Sequence, residues 1–187
     1  IAHIQHHYFF NSKVMDKNNL RNPIWYLKHN KDPIEETLVL YDKILEDYLN
    51  SKKFSLVIAT GLTQKPYDVL KFYYKIKNHK NFFLKLKIDF IKIQELMSRD
   101  FIIYFSDAKK AKTSEEILRN IKLKNIEIFK IDNRGSNLFI TLMYPNEILK
   151  NDYINYNEIK IFNYISFIAI KNGMHSEKGF YYDNFSD

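Results

Sequence analysis

The seven residues Phe54-Ser-Leu-Val-Ile-Ala-Thr60 constrain the fold more than any other stretch. The run is mostly apolar and uncharged, which is typical of a strand that is buried on both faces. Such strands occur in sheets that helices cover on both sides. The sequence therefore predicts an α/β fold with a mostly parallel sheet flanked by helices. The turn that follows, Gly61-Leu-Thr-Gln-Lys-Pro66, would lie at the strand's carboxyl end, where open α/β sheets bind ligands.

Charge and composition narrow the class of protein. The 187 residues carry a net charge of +7, but Lys is interspersed with Asp and Glu, which favours a solvated surface over a nucleic-acid groove. No run approaches the roughly 20 apolar residues that cross a bilayer, so we expect no membrane partner. The chain has no cysteine, which excludes disulfides and suits a bacterial cytoplasmic protein. Because the sequence opens with Ile1 rather than Met, we expect a fragment of a longer protein.

The first ten residues contain His3, His6 and His7. In a helix, His3 lies one turn from both His6 and His7. A His-x-x-x-His pair can hold a divalent metal ion through its imidazole nitrogens. The alternative is two exposed histidines and one that stacks on an aromatic ring.

A helix over about 33–50 is predicted by its N-terminal signals. Asp32 is a suitable N-cap, and Pro33 suits the first helical position. An apolar stripe follows at helical spacing and predicts a face that packs on the core, formed by Ile34, Leu38, Tyr41, Leu45 and Tyr48.

Residues 72–144 show a pattern of their own. Strands over 90–96 and 101–105, a helix capped at Thr113, and strands over 126–131 and 138–144 predict a compact antiparallel α+β unit. We therefore expect an α/β body over 1–71 and 145–187, with an inserted α+β subdomain over 72–144. Within the second part of that body, 159–162 and 166–170 are also predicted as strands.

Three segments resemble one family. Gly173-Met-His175-Ser-Glu-Lys-Gly179 resembles the G-x-H-x-x-x-G loop that supplies a late metal-binding His in the alkaline phosphatase superfamily, especially its type I phosphodiesterase and nucleotide pyrophosphatase branch. The strand and turn over 56–63 occupies the place of the strand that ends in S-D-H-G. Ala2-His3-Ile-Gln-His6-His7 resembles the segment with the D-x-x-x-H pair. The resemblance covers the C-terminal half of such an enzyme.

The resemblance implies metal-dependent hydrolysis of a small phosphodiester, phosphoester or sulfoester. His175 matches the late metal ligand, and His7 or His3 matches the His of D-x-x-x-H. If the match is His7, His3 takes the Asp position. If it is His3, the Asp would precede Ile1. Gly61 and Leu62 stand where the family has its Asp-His pair, so at most one divalent ion (zinc, manganese or iron) is expected, and the hydrolase is incomplete or degenerate as given.

Three polar residues of the same turn, Thr60, Thr63 and Gln64, could hydrogen-bond a ligand oxygen, although such residues often satisfy only the turn backbone. No catalytic residue is assigned. The alternative function is a non-catalytic binding or assembly module on the same fold, which the missing Asp-His pair favours. Nucleic-acid binding by the 72–144 unit is the less favoured alternative, because its aromatic residues lie in runs that are apolar enough to form its own core.

Overall fold

The computed structural model describes residues 2–10, 20–51, 55–61 and 63–183. The chain divides into two compact units. Unit 1 comprises Ile1–Lys71 with Ile170–Asp187, and unit 2 comprises Phe72–Ala169. The expected division into an α/β body over 1–71 and 145–187 with an inserted subdomain over 72–144 remains a prediction.

The described part of unit 1 contains two helices and the antiparallel pairing of two short strands. The helices are α1 (Ala2–Tyr8) and α2 (Pro33–Leu49). Strand β1 (Val57–Thr60) pairs with the last described strand, β10 (Phe180–Asp183), from Val57↔Asp183 to Thr60↔Phe180. Two long strands, β2 (Thr63–Ile76) and β9 (Ile165–Ser176), form a second two-stranded sheet, and the chain passes between the units within each of them.

Helix α2 forms for the predicted reason. The Asp32 carboxylate accepts hydrogen bonds from the backbone N–H groups of Ile34 (3.1 Å) and Glu35 (3.3 Å), and Pro33 occupies the first turn. The apolar stripe was wrongly expected to pack on a core, since Leu38, Tyr41 and Tyr48 are exposed. The helical period is therefore correct, but it did not reveal what the face contacts.

Unit 2 is built on a four-stranded antiparallel sheet. Its strands are β3 (Lys92–Glu95), β4 (Asp100–Tyr104), β7 (Phe129–Asn133) and β8 (Asn137–Leu142), in the order β3-β4-β8-β7. Two helices belong to the unit, α3 (His79–Lys85) and α4 (Ala108–Arg119). A small two-stranded sheet pairs β5 (Lys122–Leu123) with β6 (Ile126–Glu127), and a 3₁₀ turn spans Ile161–Tyr164.

Strict alternation fixes which face of this sheet is inside. In β4 and β8, every second residue is buried: Phe101, Ile103, Leu138, Ile140 and Leu142. Helix side chains complete the core, including Phe82 and Phe83 from α3 and Leu118 from α4. The β7–β8 turn contains Gly135 at φ 85°, in the left-handed region that favours glycine. The antiparallel sheet predicted for this part of the chain is thus present, although the strand predicted over 126–131 is replaced by β6 in the small sheet and β7 at Phe129–Asn133.

The predicted mostly parallel sheet is wrong. Every strand pair whose register is described is antiparallel, and the sheets other than the four-stranded one have two strands each. Within Phe54–Thr60, the described strand Val57–Thr60 is largely exposed, and Phe54 lies outside the described residues. An uncharged run is buried on both faces only if neighbouring strands and helices cover it, and here β10 is its partner in a two-stranded sheet.

Three further element predictions need correction. Residues 159–162 were expected to form a strand, but 3₁₀ geometry begins at Ile161. Helix α4 is capped by Asp107, whose carboxylate accepts from the Lys110 N–H at 2.8 Å, and not by Thr113. The turn predicted over 61–66 is short, since β2 already begins at Thr63.

Buried apolar side chains are unevenly divided between the units. Among the described residues, Ile170 is the one large apolar side chain of unit 1 that is buried, and the rest of the buried apolar set belongs to unit 2. Unit 2 therefore has a hydrophobic core of its own, whereas polar contacts are prominent in the described part of unit 1.

Candidate metal centre

Three histidines from the two ends of the chain converge in unit 1. His3 and His7 lie one turn apart on α1, and His175 lies on β9. Each offers one ring nitrogen, and the three nitrogens lie within 4.8 Å of one another, so the group could hold a metal ion. The ring centroids are 4.6 Å (His3–His7), 4.7 Å (His7–His175) and 5.0 Å (His3–His175) apart.

His7 has the most constrained ring of the three. Its side chain is buried, and Nδ1 lies 2.9 Å from the carbonyl oxygen of Gly173. A carbonyl can only accept, so Nδ1 carries the hydrogen and Nε2 of the neutral ring presents its lone pair. That Nε2 lies 3.3 Å from Nε2 of His175. A backbone carbonyl that fixes the tautomer of a histidine in this way is a common outer-shell partner of metal ligands.

The distances fit a single ion in part. Two nitrogens at about 2.1 Å from a tetrahedral ion are roughly 3.4 Å apart, close to the 3.3 Å between His7 and His175. The widest separation that one ion permits is about 4.2 Å, with the ligands on opposite sides. The three nitrogens lie within 4.8 Å of one another, so a pair wider than 4.2 Å must close for all three to bind one ion. His3 is exposed, so its ring has room to move.

A polar clamp holds α1 against β9. The Asn172 side chain, which is buried, donates to the carbonyl of Phe10 at 2.6 Å and accepts from the Phe10 N–H at 3.3 Å. Beside it, the absence of a side chain at Gly173 lets the backbone of His6 approach. A Cβ at position 173 would lie 2.0 Å from the His6 carbonyl oxygen and 2.8 Å from its Nδ1. The register of helix and strand, and with it the meeting of His7 and His175, depends on this close approach.

Gln64 contacts the third histidine. Its side-chain nitrogen lies 3.1 Å from Nδ1 of His3 and 3.4 Å from the His3 carbonyl oxygen. With the amide placed this way, Nδ1 accepts and Nε2 of a neutral His3 ring carries the hydrogen. The reversed amide would accept from Nδ1–H and leave Nε2 available as a ligand. Gln64 therefore acts on the tautomer of His3 directly.

Burial favours neutral imidazole rings on α1. It lowers the pKa of His6 to about 4, with a further lowering by the nearby His7 and His3. Burial also lowers the pKa of His7, against the opposing effect of its hydrogen bond to Gly173. Lys171 adds to this lowering through its positive charge. Because metal binding requires an unprotonated nitrogen, both effects keep the His7 lone pair available at neutral pH.

The six predicted site residues fall into two groups. His3, His7 and His175 are brought together, and Gln64 touches that group through His3. The hydroxyls of Thr60 and Thr63 are instead used within the chain. Thr60 Oγ1 accepts from the Phe180 N–H at 2.8 Å, and Thr63 Oγ1 donates to the Lys178 carbonyl at 2.7 Å. Their assignment to a ligand remains a prediction that these bonds do not favour.

The sequence analysis missed the residues that build the site around its ligands. Lys171, Gly173 and His175 share one face of β9 because strand side chains alternate. Gly173 was noticed as part of the G-x-H loop, but the strand was predicted to end at 170, so its place within β9 was not foreseen. Asn172 gave no sequence signal, since a clamp between distant segments has no local pattern.

Comparisons with models of protein families, with curated proteins and with solved structures found no match to this chain. No described helix has both the length and the apolar character required to span a membrane.

Proposed function

We propose that His3, His7 and His175 bind one divalent metal ion, and that the chain is the metal-binding part of an alkaline phosphatase superfamily hydrolase acting on small phosphoesters, phosphodiesters or sulfoesters. One observation carries the proposal: two nitrogens from residues 168 positions apart in the sequence lie 3.3 Å apart, and one of them is oriented by a backbone carbonyl. Three imidazoles suit zinc or iron better than magnesium or calcium, which prefer oxygen ligands.

A bound ion would act as a Lewis acid that polarises an ester oxygen. The residues of the chain have separate roles around it. Gly173 holds the ring of His7 through its carbonyl oxygen, and Gln64 acts on the tautomer of His3. Lys171 lies on the same face of β9 as His175, and its positive charge acts on His7. A cation beside the ligands favours an anionic substrate, which phosphoesters and sulfoesters are.

A second candidate is a binding module that holds a metal without turnover. The sequence Thr60-Gly61-Leu62-Thr63 supports it, because neither Gly61 nor Leu62 has a side chain that can bind a second ion. The superfamily mechanism implied by the resemblance uses two ions. A single histidine site would bind an anionic group but would lack the second ion's contribution.

Hydrolysis assays separate the two candidates. The purified chain is supplied with zinc, iron or manganese and offered bis(p-nitrophenyl) phosphate, p-nitrophenyl phosphate and p-nitrophenyl sulfate. Turnover that His175→Ala abolishes and His29→Ala preserves supports the hydrolase, since His29 is exposed and outside the group. Metal binding without turnover of any ester favours the binding module. Failure to bind any metal overturns both.

A further inference from the structure

Unit 2 carries most of the positive charge of the chain. Residues 72–169 contain 17 Lys and Arg against 11 Asp and Glu, a net charge of +6 out of the chain's +7. Part of this charge lines three clefts that adjoin one another. The central cleft, of about 540 Å³, shares Lys85 and Tyr164 with a cleft of about 430 Å³. It shares Lys87 with a third cleft, of about 410 Å³. We call this continuous surface the lysine groove.

The lysines of this groove exceed the carboxylates that could neutralise them. Asp89 is paired with Lys110 at 2.6 Å, and Asp107 is the N-cap of α4. Asp107 keeps its negative charge as a cap, and Glu158 is the third carboxylate along the groove, so its five lysines exceed its carboxylates by two. Four of the lysines have no ion pair in the described part of the chain: Lys85, Lys87, Lys109 and Lys160. This excess is complementary to an extended anion that spans several clefts.

Backbone strain is concentrated in the central cleft. Five non-glycine residues with positive φ occur among the described residues, and three of them line it: Lys87 (57°), Asn157 (51°) and Glu158 (47°). Lys87 follows the C-cap of α3, a position that favours glycine. Asn157 and Glu158 are the two central residues of a tight turn, in which the Ile159 N–H donates to the Tyr156 carbonyl at 3.4 Å. Turns of this kind favour glycine at the second central position, which Glu158 occupies. Backbone of this kind is found more often at functional sites than elsewhere.

Aromatic rings and amides lie among the lysines. Tyr164 lines two of the clefts, and its ring packs on Phe82 at 5.3 Å between centroids. Tyr153 is exposed in the central cleft, with Lys160 Nζ 5.3 Å from its ring centroid. Tyr153 is thus exposed and Tyr164 half-buried, and aromatic rings beside lysines are the combination that binds the bases and phosphates of single-stranded nucleic acids.

We propose that the lysine groove binds single-stranded nucleic acid, with its lysines on phosphates and with Tyr164 and Tyr153 against bases. This places nucleic-acid binding on a surface different from the aromatic runs 101–105 and 138–144 that the sequence suggested. Phe101, Phe105 and Tyr144 of those runs are indeed buried in the core. The inference concerns unit 2 alone and does not depend on the metal centre.

Fluorescence anisotropy with a labelled 12-nucleotide single strand, measured at 50 and 200 mM salt, tests the proposal. Four phosphate contacts give a salt slope of about −2.8, and hence a roughly 50-fold loss of affinity over this range. The double variant Lys87→Gln/Lys160→Gln keeps two of the four phosphate contacts, so its salt slope should be about −1.4 and its affinity should fall only about 7-fold over the same range. A control with the same charge change outside the groove, Lys43→Gln/Lys130→Gln, should behave as the parent.

Two further measurements distinguish single strands from other polyanions. Tyr164→Leu keeps an apolar side chain against Phe82 but removes the stacking ring, and should weaken binding by about tenfold. An unlabelled duplex of equal length should compete at least tenfold less well than the single strand. Circular dichroism checks that each variant is folded. His7→Ala, which changes the candidate metal centre, should bind the single strand with the affinity of the parent.

Three results would overturn the proposal. The first is that the labelled single strand does not bind at 50 mM salt. Equal losses in the two double variants would show attraction by net charge rather than by the groove. Equal competition by the duplex, or no effect of Tyr164→Leu, would show a general polyanion surface without base stacking.

Discussion

Replacing Gly173 by alanine would place a methyl group against the backbone of α1. The added Cβ would lie 2.0 Å from the carbonyl oxygen of His6, whereas ordinary van der Waals contact begins at about 3.4 Å. The two segments must therefore separate by up to about 1.4 Å, the difference between these distances. Because the contact is with backbone, no rotamer change relieves it. The movement carries His7 away from both the Gly173 carbonyl and His175.

The expected magnitudes follow from this displacement. Overpacking of this kind costs about 1–3 kcal/mol in free energy of unfolding. Metal–ligand distances tolerate about 0.2 Å, so a shift several times larger should reduce metal affinity by at least about 10- to 100-fold. The assays are isothermal titration with zinc and chemical unfolding without metal.

Gly61→Ala is the matched control. A Cβ at Gly61 meets no atom within 4 Å, so this variant should keep both metal affinity and stability. Parent-like zinc affinity in Gly173→Ala would refute the claim that the close approach of α1 and β9 builds the site. A loss in both glycine variants would point to backbone flexibility instead.

Three other predictions concern separate parts of the chain. Asp32→Ala should lower the free energy of unfolding by about 1 kcal/mol and Asp32→Asn by much less, because the amide oxygen can still cap α2, as urea unfolding would show. Burial lowers the pKa of His79 below 6.5 in the folded chain. As the pH drops below 6.5, the unfolded chain therefore protonates this imidazole more readily than the folded chain does, and the free energy of unfolding should fall. His79→Gln should flatten that pH dependence, and an unchanged slope between pH 7.5 and 5 would count against it. With the amide of Gln64 reversed, so that its oxygen accepts from His3 Nδ1–H and Nε2 is the ligand, Gln64→Ala should weaken zinc binding by about tenfold in titration calorimetry, and unchanged or tighter binding would show that the amide nitrogen faces His3 instead.

Local signals predicted local structure well. Asp32 and Pro33 located the start of α2. The alternation within 101–105 and 138–144 predicted the central strands of unit 2 to within one or two residues. These successes share a cause, because capping, turns and alternation are decided by residues close in sequence.

What failed was inference about distant neighbours. The apolar run that ends at Thr60 was expected inside a parallel sheet, but its burial depends on strands and helices that the run itself does not specify. The stripe on α2 is equally regular and yet exposed. A hydrophobic period gives the face of an element, whereas its partners are set by contacts across the whole chain.

The candidate metal centre was predictable only in its ligands. His3 and His7 at helical spacing, and His175 in a glycine-flanked loop, were identified from residue type and spacing. The clamp of Asn172 and the close approach at Gly173 were not, because both depend on the register between α1 and β9. Nucleic-acid binding was judged from the aromatic runs of unit 2, and those runs form its core, so the lysine groove had no counterpart in the sequence pattern.

Metal content measured by inductively coupled plasma mass spectrometry tests the central claim most directly. The purified chain is compared with His7→Ala, His175→Ala and the exposed control His29→Ala. We expect nearly one equivalent of zinc or iron in the parent and in His29→Ala, and loss of the metal in both other variants. Metal retained in either His7→Ala or His175→Ala, or absent from the parent after equilibration with zinc and with iron, would contradict a site shared by the two ends of the chain.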